Sequence, residues 1–255
     1  MNLVIDCGNT NIKLALFFKN KMIDYHSTRN FSKKSILDFV ANKRPSRVKN
    51  VCVSNNSRQD IDILKNHLFK DATWIILNYH SKLPIDIKYH TPEKLGSDRI
   101  ALATGASIKY PGDKLIIDFG TCITYDFVEG TNYFGGQISL GFNTRFRALS
   151  HYTNSLPSIN LDQINELNNI SDHTTALNTI DSMLLGIRDS LVSELEYVIQ
   201  KYKSRYPNII IVLTGGDMVY LKDILQLNLT SYKNFIDSYL LMEGLNYIIA
   251  FNEKK

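Results

Sequence analysis

Cysteine is scarce in this chain, and so are charge runs and long apolar stretches. Its three cysteines, Cys7, Cys52 and Cys122, are odd in number, far apart and without a C-x-x-C pair. They exclude a disulfide framework and a zinc site as organising features. No apolar stretch approaches the ~20 residues that a membrane span needs. The N-terminus opens on a strand-like run containing Asp6, with no basic-then-apolar leader, so a cytoplasmic location is expected. No Lys or Arg block is concentrated enough for nucleic-acid binding as the main task; the formal charge is +4, and that mildly basic balance suits an anionic small substrate. No low-complexity linker divides the 255 residues, whose 44% apolar content can bury a large core in one domain or two.

What is present is a turn that occurs twice. An apolar run enters Asp-x-Gly in Val4-Ile5-Asp6-Cys7-Gly8-Asn9-Thr10 and again in Ile116-Ile117-Asp118-Phe119-Gly120-Thr121. Each is followed by a second β-rich segment, Ile12 to Phe18 and Cys122 to Val128, so each reads as strand, tight turn and returning strand. Glycine lets the backbone bend so that its N–H groups point into one space, where a phosphate chain fits. The aspartate at each strand end can hold a cation, directly or through water, or orient a nucleophile. Duplication of the unit suggests a cleft between two related halves.

The rest of the chain extends the repeat. After a third strand at Met22–Thr28, the spacing predicts a helix over Ser32–Asn42, a strand at Val48–Ser54, a helix over Arg58–Phe69 and a strand at Thr73–Leu77. Pro84 and Pro92 bracket a short extended segment, and Ser97 opens a helix that Pro111-Gly112 stops. The second half repeats the plan, with strands near 114–119, 122–128 and 133–139 and helices near 143–151 and 179–204. A strand at Ile209–Leu213, a helix from Met218, a strand near Tyr232–Ile236 and a helix from Tyr239 complete it. Each half is therefore a βββαβαβ arrangement, 1–112 and 113–255. The apolar strand Ile209–Leu213 runs into Thr214-Gly215-Gly216-Asp217, a third glycine turn, whose bare backbone can approach a flat base or ribose.

Several spacings stand out together. Asp6 to Lys13 reads D-x-G-N-T-x-x-K; Gly96-Ser97-Asp98-Arg99 reads G-x-D-R, preceded by Tyr89 and the Thr91-Pro92 step; Gly135-Gly136-Gln137-Ile138 reads G-G-x-I; and Asn178-Thr179 is followed by Gly186. In this order they resemble the actin, sugar kinase and Hsp70 superfamily, and within it the type III pantothenate kinase family, over almost the whole chain. The resemblance implies duplicated ribonuclease H-like, actin-like ATPase halves. It also implies ATP-dependent phosphorylation of pantothenate at the first step of coenzyme A synthesis.

The same resemblance assigns roles. Asp98 becomes the base for the hydroxyl proton, and Arg99 the partner of the pantothenate carboxylate. Tyr89, Gly96, Ser97 and Thr179 also contact that substrate. Asp6, Cys7, Gly8, Asn9, Thr10, Asn11, Ile12 and Lys13 line the ATP phosphates, with Asp6 facing Mg2+; Thr121 supplies the second phosphate contact and Gly215 and Gly216 the nucleoside. Asp118 helps to hold a monovalent cation, K+ or NH4+. A homodimer is implied, and the apolar stripe Ile180, Met183, Leu184, Ile187, Leu191, Leu195 and Val198 is a face it could use, although covering its own sheet would explain the stripe equally well.

Residue type alone reads more plainly. An aspartate in a helix's first turn stabilises the dipole by about 0.3–1 kcal/mol. Arg99 would be a surface ion pair, Lys13 a solvated strand lysine, Tyr89 a half-buried tyrosine and Thr179 a helix cap. Cys7 and Cys122 would be small buried thiols. Leu140 stands where the family has proline after G-G-x-I, which puts the local turn in question. A kinase for another hydroxyl acceptor and a nucleotide-binding regulator without transfer are the alternatives.

Overall fold

Strand β1, Asn2–Cys7, is buried along its whole length. A strand enclosed on both faces must satisfy its backbone on both edges. It does so by pairing antiparallel with β2 (Ile12–Phe18) and parallel with β4 (Asn50–Asn55). Strands β3 (Lys21–Thr28) and β5 (Thr73–Ile76) complete a sheet of order β3-β2-β1-β4-β5. The computed structural model describes residues 1–29, 32–41, 47–57, 65, 69–159, 174–228 and 234–253. The helix expected over Arg58–Phe69 and the start of the strand expected at Tyr232 fall outside the described residues.

The order recurs. Strands β7 (Lys114–Phe119), β8 (Cys122–Glu129), β9 (Asn132–Leu140), β10 (Ile210–Thr214) and β11 (Asn234–Ile236) run β11-β10-β7-β8-β9 across the second sheet. Position for position this is the first sheet's order, so the duplication read from two turns extends to the whole topology. The short extended segment expected between Pro84 and Pro92 holds a strand, β6 (Asp86–Ile87), which adds to β9 in parallel, with Ile87 opposite Tyr133. A 3-10 turn at Pro92–Lys94 follows it.

By compactness the chain forms two units. One comprises Met1–Pro111, Val128–Gly135 and Tyr239–Lys255; the other comprises Gly112–Phe127 and Gly136–Ser238. In the first, Ser32 caps helix α1 (Lys33–Ala41): its hydroxyl accepts from the Ser35 N–H, and the Ser35 hydroxyl accepts from the Ser32 N–H. Helix α2 (Ser97–Lys109) packs against the last helix of the chain. Their approach depends on Gly105 and its partner Gly244, where an added Cβ would stand 2.6 Å and 2.0 Å from the backbone oxygens of Leu240 and Ala101. A buried amide ladder ties that last helix to the sheet: Asn50 Nδ2 donates to Asn2 Oδ1 and Asn2 Nδ2 to Asn246 Oδ1.

In the second unit helix α3 (Phe142–Tyr152) follows β9, and α4 (Thr179–Arg205) spans the core. Met183, Leu184, Ile187, Leu191, Leu195 and Val198 are all buried there with Leu115, Ile117 and Ile211 of the sheet. Each such side chain contributes roughly 1.5–3 kcal/mol of hydrophobic stabilisation. Of the stripe considered for a dimer, only Ile180 is exposed, so the stripe is core. Helices α5 (Met218–Asn228) and α6 (Leu240–Glu253) complete the described elements. Among the described residues no helix is long and apolar enough to cross a membrane.

Candidate active site

The first glycine turn is tight: the Gly8 N–H donates to the Asn11 carbonyl at 3.1 Å. Asn9 and Thr10 stand exposed at its tip, while Cys7 and Ile12 close it beneath as a buried pair. Because β1 and β2 pair antiparallel, Lys13 lies opposite Asp6, with Nζ 3.7 Å from Oδ2. Lys13 is therefore drawn onto a carboxylate and is not the solvated lysine that strand alternation predicts. Asp6 is 4% exposed, and its Oδ1 is buried without a hydrogen-bond partner among the described residues. Burial pushes its carboxyl up to about 6; Lys13 opposes the rise, the charge of Asp98 adds to it, and the Ser54 hydroxyl opposes it. Such an atom is a hard oxygen donor lacking a partner, which fits a hydrated divalent ion. No group of three or more His, Cys, Asp or Glu gathers as a metal cage among the described residues.

The second carboxylate of this unit sits at the start of α2. Gly96 is the N-cap and supplies no side-chain cap; a Cβ there would fall 2.5 Å from Asp98 Oδ1. Asp98 Oδ1 accepts the Arg99 N–H at 2.8 Å. Arg99 is 7% exposed, with its guanidinium 5.9 Å from the centre of the Tyr89 ring. It is thus a buried cation on an aromatic face, where a surface ion pair was the plain expectation. Tyr89 in turn lies against Gly135, whose φ of +93° only glycine adopts readily. Asp6, Lys13, Ser97, Asp98, Arg99 and Tyr89 so form one continuous set within the first unit.

In the second unit the other turn is equally close. The Gly120 N–H donates to the Cys122 carbonyl, and the Thr121 carbonyl accepts from the Gly141 N–H and the Thr144 hydroxyl. Thr121 is exposed, and so is Cys122, which corrects the expectation of a buried thiol; Cys7 and Cys52 are buried. Burial pushes the Cys7 thiol up to about 12, with Asp6 adding to the rise, and burial raises Cys52 too. Gly215, at φ +112°, lies so near β7 that a Cβ would stand 2.3 Å from the Phe119 carbonyl oxygen and 2.6 Å from Asp118 Oδ1. The glycine turn is therefore built onto the Asp118 strand end, and Gly216 faces open space.

Thr179 is exposed as the first residue of α4, but the cap is Asn178, whose Oδ1 accepts from the Asp181 N–H at 2.9 Å. Thr179 instead lines an open cleft with Leu149, Leu156, Leu177 and Met183. The leucine in place of proline is accommodated without a broken turn: the Leu140 carbonyl accepts from Arg145 Nε, and Gly141 caps α3.

Sequence reasoning missed several residues that hold these turns. Glu194 accepts from the Tyr125 and Ser139 hydroxyls and pairs with Arg145, fastening α4 to β8, β9 and α3. The Asp217 carboxylate accepts the Asn143 N–H at the start of α3, where Gly141 has no side chain to do so, and burial pushes it up to about 6. Ser54 and Asn56 stand beside Asp6 and Ser97. The only signal for them was polar residues closing an apolar strand.

Residues 2–201 match the family described as type III pantothenate kinase. The chain is 38% identical to a type III pantothenate kinase of Christiangramia forsetii over 99% of both chains. It is 34% identical to that of Cytophaga hutchinsonii, over 99% of this chain and 100% of the relative. Among solved structures it resembles a protein assigned as an N-acetylmannosamine kinase from Listeria monocytogenes, at a TM-score of 0.57 and 14% identity over 99% of each chain. That last likeness concerns the fold, the two-sheet actin-like arrangement of sugar kinases.

Proposed function

The chain belongs to the type III pantothenate kinase family and phosphorylates pantothenate with ATP, and we propose how its own residues divide that work. Asp98 accepts the proton of the primary hydroxyl as its oxygen attacks the γ-phosphorus and ADP leaves. The observation that carries this is the placement of Asp98 in the first turn of α2, within electrostatic reach of Asp6. Arg99 meets the pantothenate carboxylate, a pairing suited to a planar guanidinium. Tyr89 orients Arg99 and, with Gly96 and Ser97, borders the same substrate; Thr179 of the second unit is a further residue assigned to pantothenate.

The backbone of Cys7, Gly8, Asn11 and Ile12, with Asn9, Thr10 and Lys13, takes the phosphates, and Thr121 adds the second contact. Gly215 and Gly216 leave room for the nucleoside. Asp6 would hold Mg2+ through water, and that ion would offset phosphate charge. Asp118 would be an oxygen ligand for K+ or NH4+. The enzyme works as a homodimer, supported by the exposed apolar side chains Ile138, Leu140 and Ile180 of the second unit. Its three free thiols fit a reducing cytoplasm.

The test is ADP release from ATP and Mg2+ with and without pantothenate, scanning sugars in parallel. Pantothenate-dependent release supports the reading. Turnover of a sugar alone would assign a different alcohol, and nucleotide binding without turnover would assign a regulator.

A further inference from the structure

The N-terminus of α2 carries the proposed base, yet its own N-cap is a glycine that supplies no side-chain hydrogen bond. The missing cap comes from 41 residues earlier in the sequence: Asn56 Oδ1 accepts the Ser97 N–H at 3.0 Å and the Ser97 hydroxyl at 3.1 Å. The Ser97 N–H is a fixed donor, which sets the orientation of the Asn56 amide. The same Ser97 hydroxyl accepts the Asn55 N–H at 3.0 Å and lies 3.1 Å from Ser54 Oγ. Ser54 is fully buried, sits beside Asp6 in the parallel β1–β4 register, and its hydroxyl bonds the Asp6 carboxylate. One run of hydrogen bonds therefore leads from the nucleotide-side carboxylate through Ser54 and Ser97 to Asn56, and Asp98 is the next residue after Ser97.

From this geometry we propose that Ser54 and Asn56 are positioning residues, locking the Asp98 helix start to the Asp6 turn through Ser97. Neither touches substrate in this role. Two hydroxyl protons serve three contacts: Asp6 with Ser54, Ser54 with Ser97, and Ser97 with Asn56. When Ser54 gives its proton to Asp6, Ser97 can give its own to Ser54, and Asn56 still holds Ser97 through the N–H. When Asp6 draws on another donor, Ser54 turns to Ser97 and Ser97 to Asn56. The helix start stays tied to β4 in both arrangements, so the base keeps its place whatever occupies Asp6. Ser54 and Ser97 are buried, so a lost bond between their hydroxyls is costly, because water cannot replace it.

The inference rests on Asp98 as the base of the proposed reaction. Its test is steady-state kinetics of Ser54→Ala, Asn56→Ala and the double variant, alongside nucleotide-binding stoichiometry as a measure of folded sites. Displaced by a fraction of an ångström, the base should cost about tenfold or more in kcat, with KM for ATP and for the acceptor within about threefold. Because both act through Ser97, the double variant should be no worse than the weaker single. Should Ser54→Ala bind nucleotide substoichiometrically, Ser54→Cys, which keeps the buried volume with a weaker donor, replaces it. Normal kcat in either single variant, or losses that multiply in the double, overturns the relay. If the wild type turns over a sugar and not pantothenate, the substrate reading fails, and the relay is judged by the same comparison on that sugar.

Discussion

The Tyr89 ring lies against Gly135 so closely that a β-carbon on Gly135 would stand 2.5 Å from Tyr89 Cδ2. The ring also carries Arg99 on its face. Gly135→Ala therefore disturbs the substrate side of the site without touching either phosphate turn. The expected result is a KM for pantothenate raised by about tenfold, the scale of one lost contact, with KM for ATP unchanged. Equal increases in both would place the fault in the fold.

Removing the proposed base separates chemistry from binding. Asp98→Asn keeps the shape and an acceptor for the Arg99 N–H, and kcat should fall roughly 100-fold or more while nucleotide affinity stays near wild type. Isothermal titration with ADP checks the second half. Lost nucleotide binding would give Asp98 a structural role.

The buried Asp6 carboxyl gives a pH signature in stability. Its pKa is raised from 3.8 to about 6, so the folded chain holds this proton at pH values where the unfolded chain has released it. Stability therefore rises as pH falls through about 6 and levels off below the unfolded value. Above pH 6 the charge is a penalty, which Asp6→Asn removes. Thermal melts without nucleotide or divalent ion should show the variant more stable at pH 8, by on the order of 1–2 kcal/mol once the lost Lys13 contact is allowed for. The gain should vanish near pH 4, and activity should drop. A gain independent of pH would break the link to this carboxyl.

For Asp118 the readout is an ion response. At fixed ionic strength, turnover should rise when Na+ is exchanged for K+ or NH4+, and Asp118→Asn should flatten the difference. Equal rates in the three salts would remove the proposed cation.

Thiol chemistry should single out Cys122. Cys7 and Cys52 are buried with thiols held protonated, whereas Cys122 is exposed beside Thr121. Mass spectrometry after brief treatment with a bulky maleimide should find one adduct per native chain. Inhibition should accompany it, ATP should slow it, and Cys122→Ala should abolish it; adducts on Cys7 would contradict the buried turn.

Much of this was legible in the chain because it is local. The turns at Gly8 and Gly120 follow apolar strands, and the helix start at Ser97 carries its own signals. What sequence could not yield depends on contacts between distant segments. Alternation along β2 says only that Lys13 and Leu14 face opposite ways; pairing with β1 decides that the lysine meets Asp6. Helical spacing marks one apolar face on α4, but its burial under β7 and β10 decides that the face is core. Arg99 looked like a surface charge because Tyr89 comes from another segment. Ser54 and Asn56 were unremarkable until a parallel strand and a glycine cap gave them partners.

The tight crossing of α2 and α6 at Gly105 and Gly244 also constrains how the protein is made. The first unit contains β1 and α2, yet α2 packs on Leu240–Glu253, which the ribosome delivers after all of the second unit. A nascent chain that has already emitted both phosphate turns still lacks the helix that covers Ala101 and Gly105. The amide ladder from Asn2 and Asn50 likewise waits for Asn246. Completion of the amino-terminal unit therefore waits until the second unit has been made, and the emerging chain carries an uncovered apolar helix face until α6 leaves the exit tunnel.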